Sequence, residues 1–281
     1  MSRTQVVVLT LLAMLAFAAN SLLCRMALKH TALDPASFTS IRIASGAVVL
    51  GLIVRVRAGA AGPSGNWPSA FALFSYAAAF SFAYVSLTAA TGALLLFGAV
   101  QATMIGYGLR SGERLSARQG TGLAVAVVGL VGLSWPGLSA PPLKGSLLMV
   151  AAGIAWGVYT LRGKGSRNPL RVSGGNFLRA LVPAAALSAA MAPSALLDVV
   201  GVGYAIASGA LASGLGYAIW YAALPGIEVT TAATVQLSVP LIAAAGGVLL
   251  LDEPMSLRLV LASVAILGGI ALVVVRAPNS Q

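Results

Sequence analysis

The sequence predicts an all-α polytopic membrane protein: ten transmembrane helices arranged as two inverted five-helix repeats. Composition is the first observation behind that prediction. The chain is 59% hydrophobic and 8% charged, and its apolar residues recur in runs of about 20, the length a helix needs to cross the hydrocarbon core of a bilayer. A soluble protein is excluded. The second observation is an internal register. The segments from Thr91 to Trp135 and from Thr231 to Val275 share one plan, an apolar helix, a short turn and another apolar helix. At a constant offset of 140 residues, Glu113 falls on Glu253 and Ser116 on Ser256. Without any gap, Ala93, Gly106, Leu109, Arg118 and Gly129 fall on Ala233, Gly246, Leu249, Arg258 and Gly269. A duplicated membrane chain with an odd number of spans per half must set its halves upside down, the architecture of alternating-access transporters. The third is the placement of lysine and arginine, which requires an even number of spans.

Breakers and charges divide the chain in order. Gln5–Leu28 follows Arg3. Its Ala16-Phe17-Ala18 pattern fits a signal-peptide cleavage site, but the apolar run continues to Leu28, and Phe17–Arg25 resembles Ile154–Arg162 in the second half. It is therefore read as a span. Pro35–Val56 is second, and the connection from Arg57 to Trp67, rich in Gly, Ala and Pro, is expected to be a flexible surface loop. Pro68–Leu87 and Thr91–Leu109 are interrupted only at Thr88 to Thr91. They are divided because the counterpart, Pro225-Gly226-Ile227-Glu228, is a plain break. Ala117–Trp135 closes the first half, and Trp135 to Pro142 joins the halves, giving repeats at residues 1–138 and 139–281. The second half reads Leu143–Leu161, Val172–Met191, Val199–Leu224, Val229–Leu251 and Met255–Val275.

With both termini inside, the cytoplasmic segments receive Arg3, Arg55, Arg57, Arg110, Arg114, Arg118, Arg162, Lys164, Arg167, Arg171 and Arg276. The opposite side receives Lys29, Lys144 and Arg258. That is the asymmetry of the positive-inside rule, and it places both termini in the cytoplasm of a bacterial-type inner membrane. It also explains the net charge of +11 without nucleic acid, since the basic residues make no aromatic-interleaved patch. Cys24 is the only cysteine, so no intrachain disulfide forms.

The Gly-Glu-Arg-Leu turn at Gly112–Leu115, the Asp-Glu-Pro turn at Asp252–Pro254, Arg42 in the second helix and Pro240 in the ninth make the chain resemble the drug/metabolite transporter superfamily. Within it the EamA branch and its YddG-type aromatic amino-acid exporters are most similar. The likeness covers nearly the whole chain. It departs at helix 4, where Val100 and Gln101 stand opposite Pro240 and Leu241, so the helix-4 proline is missing. The resemblance implies a ten-helix basket with a central cavity lined by helices 1, 3, 4, 6, 8 and 9. It also implies a carrier that is functional as a monomer, with Pro240 as a hinge.

On those helices, Tyr76, Phe80 and Tyr84 follow i, i+4, i+8 and share one face. Tyr217, Trp220 and Tyr221 form a second aromatic group, and Trp156 and Tyr159 a third. They line the cavity or form interfacial belts. Asn20, Gln101 and Gln236, and less so Asn176, are amides that hold a zwitterionic substrate or bind helices together. Arg42 and Arg179 each lie about two turns inside a helix. They snorkel to the headgroups, or they act on a substrate carboxylate or in gating. His30 reads as a solvated loop residue.

All six acidic residues map to loops or helix ends, so no intramembrane carboxylate is expected as a proton relay. The absence of a phosphate-binding Gly-rich loop disfavours direct ATP coupling. Ser213-Gly214 lacks a nucleophile elbow's flanking glycine, and no enzyme is expected. No cofactor or metal is expected, and the partners are membrane lipid and a small-molecule substrate. The expected function is export of amino acids, aromatic or hydrophobic ones first, by alternating access and facilitated diffusion. The alternatives are a permease for another small metabolite or drug, or a proton-coupled antiporter.

Overall fold

A computed structural model describes residues 1–58, 64–112, 114–135, 140–164, 166–227, 232 and 235–274. Among them every regular element is helical. Helices α1 (Arg3–His30), α2 (Pro35–Ala58), α3 (Trp67–Tyr84), α4 (Ala89–Arg110) and α5 (Ala117–Ser134) precede residues 136–139. Helices α6 (Leu143–Gly163) and α7 (Pro169–Ala190) follow. Helix α8 (Val199–Ala207) passes through a π-helical segment (Ser208–Leu215) directly into α9 (Gly216–Ala223), and α10 (Ser238–Leu251) and α11 (Leu257–Val274) end the fold. Six stretches among the described residues are long and apolar enough to cross a membrane: Arg3–His30, Pro35–Val56, Ala89–Arg110, Leu143–Gly163, Val199–Gly226 and Leu257–Val274. Large apolar side chains such as Val7, Leu11, Val128, Val264 and Leu249 stand exposed on the outer surface. Water would penalise such a surface, whereas lipid accommodates it.

Side chains close the helix starts, because the first backbone N–H groups of a helix have no intrahelical acceptor. Ser2 with Gln5, and Ser116 with Gln119, form reciprocal capping boxes. Asn66, Thr88, Asn168 and Asp198 cap α3, α4, α7 and α8. Asp34 caps α2, its Oδ1 accepting from the Ala36 and Ser37 N–H groups, each at 2.9 Å. Its Oδ2 accepts from Leu196 N at 3.0 Å, which ties the α1–α2 turn to the segment after α7.

Several boundaries differ from the sequence expectation. The break between the third and fourth helices falls at residues 85–88, ahead of the expected Thr88 to Thr91. Thr88 accepts from Thr91 N and so caps α4, which begins at Ala89 where the sequence expectation starts at Thr91. The expected continuous helix from Val199 to Leu224 contains the π segment, which carries two helix-weakening pairs, Ser208-Gly209 and Ser213-Gly214. The start of the expected ninth helix lies partly at residues 229–231, 233 and 234, outside the described residues. The helix breaks at Leu237, and Pro240 is the third residue of α10. Proline there removes the N–H that would bond to residue 236, and at the break the Val235 carbonyl accepts from Ser238 Oγ at 2.7 Å. The centre of the expected flexible loop, residues 59–63, lies outside the described residues. Its last part is held: Gly65 adopts φ +89°, Asn66 N donates to Asn176 Oδ1 at 2.9 Å, and Ser64 O accepts from Arg179 Nη1 at 2.7 Å.

Helix α5 packs along α11, α2 along α7, and α4 between α6 and α10. Helix α3 packs on α6, and α1 packs on the α8–π–α9 stretch and on α10. Small residues set these distances. A Cβ on Gly122 would lie 2.6 Å from the Gly269 carbonyl oxygen, so the α5 and α11 backbones are in direct contact. Membrane helices, which gain little from hydrophobic exclusion, associate through such contacts. A Cβ on Gly209 would strike the Arg42 carbonyl, which brings the π segment directly onto α2.

Candidate functional site

The side chains of greatest chemical interest converge near the middle of these helices. Tyr76 lies at the midpoint of α3. Its hydroxyl accepts two hydrogen bonds, from Arg42 Nη2 on α2 at 2.7 Å and from Asn20 Nδ2 on α1 at 3.1 Å. Asn20 Oδ1 accepts in turn from Ser208 Oγ, the first residue of the π segment, at 2.6 Å. Four elements thus meet in one polar chain. Arg42 is 2% exposed, and its guanidinium carbon lies 5.0 Å from the Tyr76 ring centroid and 4.8 Å from that of Phe80. Ring faces attract cations and partly replace lost water. Arg42 Nη1 is buried and has no hydrogen-bond partner.

An aromatic wall continues from this polar chain. The Tyr76 ring packs on Trp156 of α6 at 4.8 Å, Trp156 stacks on Tyr159 at 5.2 Å, and Trp156 meets Tyr217 at 5.6 Å. Tyr217 also contacts Phe177 of α7 at 6.0 Å and Phe17 of α1 at 5.9 Å. The separations suit tilted and edge-on aromatic pairs. At its far end, the Tyr159 hydroxyl donates to Ser173 Oγ at 3.2 Å, and Tyr221 lies within 3.4 Å of the same oxygen. A surface depression of about 400 Å³ lined by Met1, Thr4, Gln5, Val8 and Leu9 is remote from this cluster and built on α1 alone.

The structure therefore brings Asn20, Tyr76, Phe80, Arg42, Trp156, Tyr159, Tyr217 and Tyr221 together, and separates the other sequence candidates from them. Tyr84 continues the α3 stripe, 4.7 Å from Phe80, but its hydroxyl donates to Ala89 O at 3.3 Å, so it secures the α3–α4 turn. Trp220 contacts Phe17 at 6.1 Å and packs with Met14, Ala18 and Val239 in a separate apolar group. Gln101 is buried and Gln236 half-buried, and neither joins the polar chain. Arg42 does not snorkel. Arg179 is tied to the Ser64 and Gly175 carbonyls, which gives it a structural role beside Asn176. Phe17, Ser208, Ser173 and Phe177 belong to the site and were not singled out in the sequence. A lone Ser or Phe in an apolar helix carries no distinguishing signal until its neighbours are known.

A second polar centre lies at the end of α3. Arg25 Nε and Glu253 Oε1 form an ion pair at 2.9 Å, each side chain 9% exposed, the only such pair among the described residues. Arg25 Nη1 donates to the Tyr84 and Val85 carbonyls at 2.9 and 3.3 Å. Glu253 Oε2 accepts from Ala89 N, the first N–H of α4, at 2.7 Å. The expectation that every acidic residue sits in a loop or at a helix end holds for the position of Glu253. Its carboxylate, however, turns inward, because Asp252 adopts the left-handed conformation at φ 49° and the Glu253 N–H closes on Gly247 O at 3.1 Å.

Residues 143–275 match the EamA-like transporter family. An uncharacterized protein of Pseudomonas aeruginosa is 58% identical over 94% of this chain and 93% of its own length. An uncharacterized transporter of Archaeoglobus fulgidus is 28% identical over 58% of this chain and 59% of its own. A protein of known crystal structure shares the fold at a TM-score of 0.69, with 20% identity over 97% of this chain and 98% of the other.

Proposed function

We propose that this integral membrane protein, which carries an EamA-like transporter family domain across its second half and belongs to one family with the Pseudomonas aeruginosa protein, exports small amphipathic solutes. Amino acids with aromatic or apolar side chains are the first candidates. The observation that carries this reading is the cluster around Arg42, Tyr76 and Trp156: a buried guanidinium with an unpartnered nitrogen, beside aromatic rings drawn from several helices. A charge buried within a span and lacking a counter-charge points to a substrate or ion pathway.

The halves at residues 1–138 and 139–281 act as inverted repeats that expose this cluster alternately to the two membrane faces. The packing supports that reading. Exchanging each helix for its counterpart maps the α5–α11, α2–α7 and α4–α10 contacts onto themselves, and the α3–α6 contact onto that of α8–α9 with α1. The cytoplasmic face carries the termini together with the exposed Arg55, Arg110, Arg114, Arg118 and Arg162. The Arg25–Glu253 pair then lies toward the opposite face as a gate that opening must break. The break before Pro240 supplies a hinge. Arg42 and the rings bind substrate, and net flux follows the gradient, a reading supported by the lack of an unpaired carboxylate within a span among the described residues. A second reading, proton-coupled antiport, draws on Glu253, the one acidic side chain among the described residues that is paired with a buried cation and that would be released when its gate opens.

Counterflow of labelled amino acids into proteoliposomes tests both. Facilitated export requires accumulation of Phe or Trp against unlabelled internal substrate with no pH gradient. Transport that vanishes when the gradient is collapsed would favour the Glu253 reading, and no counterflow by any member of the panel would remove the proposal.

A further inference from the structure

The charge inventory of the central cluster is asymmetric. Arg42 keeps its proton in any protein environment, yet the one ion pair among the described residues uses Arg25 and Glu253. No carboxylate therefore answers Arg42. Its guanidinium has Tyr76 Oη on Nη2 and two ring faces beside it, and nothing on Nη1. Burying a charge without a counter-charge is among the costlier arrangements in a folded chain.

From this we infer that the cluster recognises its substrate by one carboxylate on an apolar or aromatic body, and that it makes no use of a substrate ammonium group. The inference rests on the carrier reading above and narrows it. The carboxylate completes the Arg42 fork, for which planar, paired recognition of carboxylates is the usual chemistry. One negative charge is the match. Arg25 is already neutralised by Glu253, and Arg179 is taken up by the Ser64 and Gly175 carbonyls, so a dianionic phosphate would meet a single cation. An ammonium would arrive beside Arg42 as a like charge, and among the described residues no acidic side chain is bonded into the cluster to receive it. The amide oxygen of the polar chain, Asn20 Oδ1, accepts from Ser208 and carries no formal charge to offset an ammonium. Trp156, the half-buried ring of the cluster, offers the body of the substrate an apolar surface, with Tyr76 and Tyr217 packed beside it. Aromatic acids lacking the α-amino group are thus ligands at least as good as the amino acids.

The test is equilibrium binding to the purified full chain, read by tryptophan fluorescence and by thermal shift. Three probes are used: 3-phenylpropionate, L-phenylalanine and phenethylamine. Phenylpropionate is expected to bind as tightly as phenylalanine or more tightly, and phenethylamine at least about tenfold more weakly, a factor of ten corresponding to 1.4 kcal/mol. Arg42→Gln is expected to abolish phenylpropionate binding. Arg42→Lys, which keeps the charge and loses the fork, should retain part of it. The three-probe comparison is made on the unaltered protein, so it stands even if Arg42→Gln fails to fold. Phenethylamine binding within threefold of phenylpropionate, or phenylalanine binding tenfold more tightly than phenylpropionate, overturns the inference. If that happens while phenylalanine counterflow persists, the carrier reading survives and only the anion preference falls.

Discussion

Arg25 and Arg162 hold opposite ends of the same helix. Arg25 bonds to the Tyr84 and Val85 carbonyls where α3 ends. Arg162 Nε donates to Ser69 Oγ at 3.2 Å, and its Nη2 to Asn66 Oδ1 at 3.4 Å, where α3 begins. The two arginines close the similar segments Phe17–Arg25 and Ile154–Arg162. Tyr76 sits between the two attachments, so releasing either one frees one end of the helix that carries the central hydroxyl.

Breaking the gate should separate two energies. Arg25→Gln or Glu253→Gln alone leaves a nearly buried charge unanswered, a change that commonly costs about 3–5 kcal/mol. The double variant removes both charges and should cost less than the sum of the singles. Thermal unfolding of the four proteins in detergent measures the coupling, and strict additivity would show that the pair contributes nothing.

Topology is open to chemical labelling because Cys24, the native cysteine, is fully buried. A cysteine replacing Ser166 should resist impermeant thiol reagents in intact cells, whereas one replacing Lys144 should react. The reverse pattern would overturn the proposed orientation.

The stripe on α3 should divide by function. Tyr76→Ala should lower transport of aromatic substrates several-fold, since an aromatic pair contributes about 0.5–1.5 kcal/mol beyond area burial and Tyr76 contacts Trp156 and Phe80. Tyr84→Phe should lower the melting temperature and leave the substrate preference unchanged. Ser75→Ala, on the exposed face of α3, should alter neither. Parent transport rates by a folded Tyr76→Ala protein would reduce the ring to packing.

Asp34 gives a pH signature. Burial raises its carboxyl pKa, but hydrogen bonds from Ser37, Leu196 and Ala36 outweigh that and hold it below its ordinary value. A folded-state pKa below the unfolded one adds stability that is fully present above the unfolded value, near 3.9, and is lost as pH falls through the folded value. The melting temperature of Asp34→Asn should therefore lie below that of the parent at neutral pH, and the gap should begin to narrow below about pH 4 and close once pH falls below the folded value. A gap that persists unchanged into acid would assign the effect to lost capping geometry alone.

Apolar run length and loop charge made the helices legible, because both report directly on solvent. Helix starts were less legible where caps do the work: Thr88 looks like an interruption until its bond to Thr91 N is seen. At the site, the α3 stripe followed from helical period alone. The inward turn of Arg42 did not, since a sequence cannot say whether an arginine two turns inside a helix reaches for headgroups or for a tyrosine from another helix. Glu253 was hidden for a similar reason. Its position is a turn, and only the left-handed Asp252 directs its carboxylate into the protein.

The π segment makes the site depend on a count of residues. A π turn closes its hydrogen bonds one residue later than an α turn, so Ser208–Leu215 stores an extra position between Ser208, which holds Asn20, and Tyr217, which meets Trp156. Each residue of an α-helix advances the chain by about 100°. Relaxing the segment to α geometry with every residue kept would turn α9 by about that angle relative to α8, carrying Tyr217 away from Trp156 while every side chain kept its identity. Removing one residue at the same time would cancel that turn, so the meeting of Tyr217 with Trp156 rests on the π geometry and the length of this stretch together.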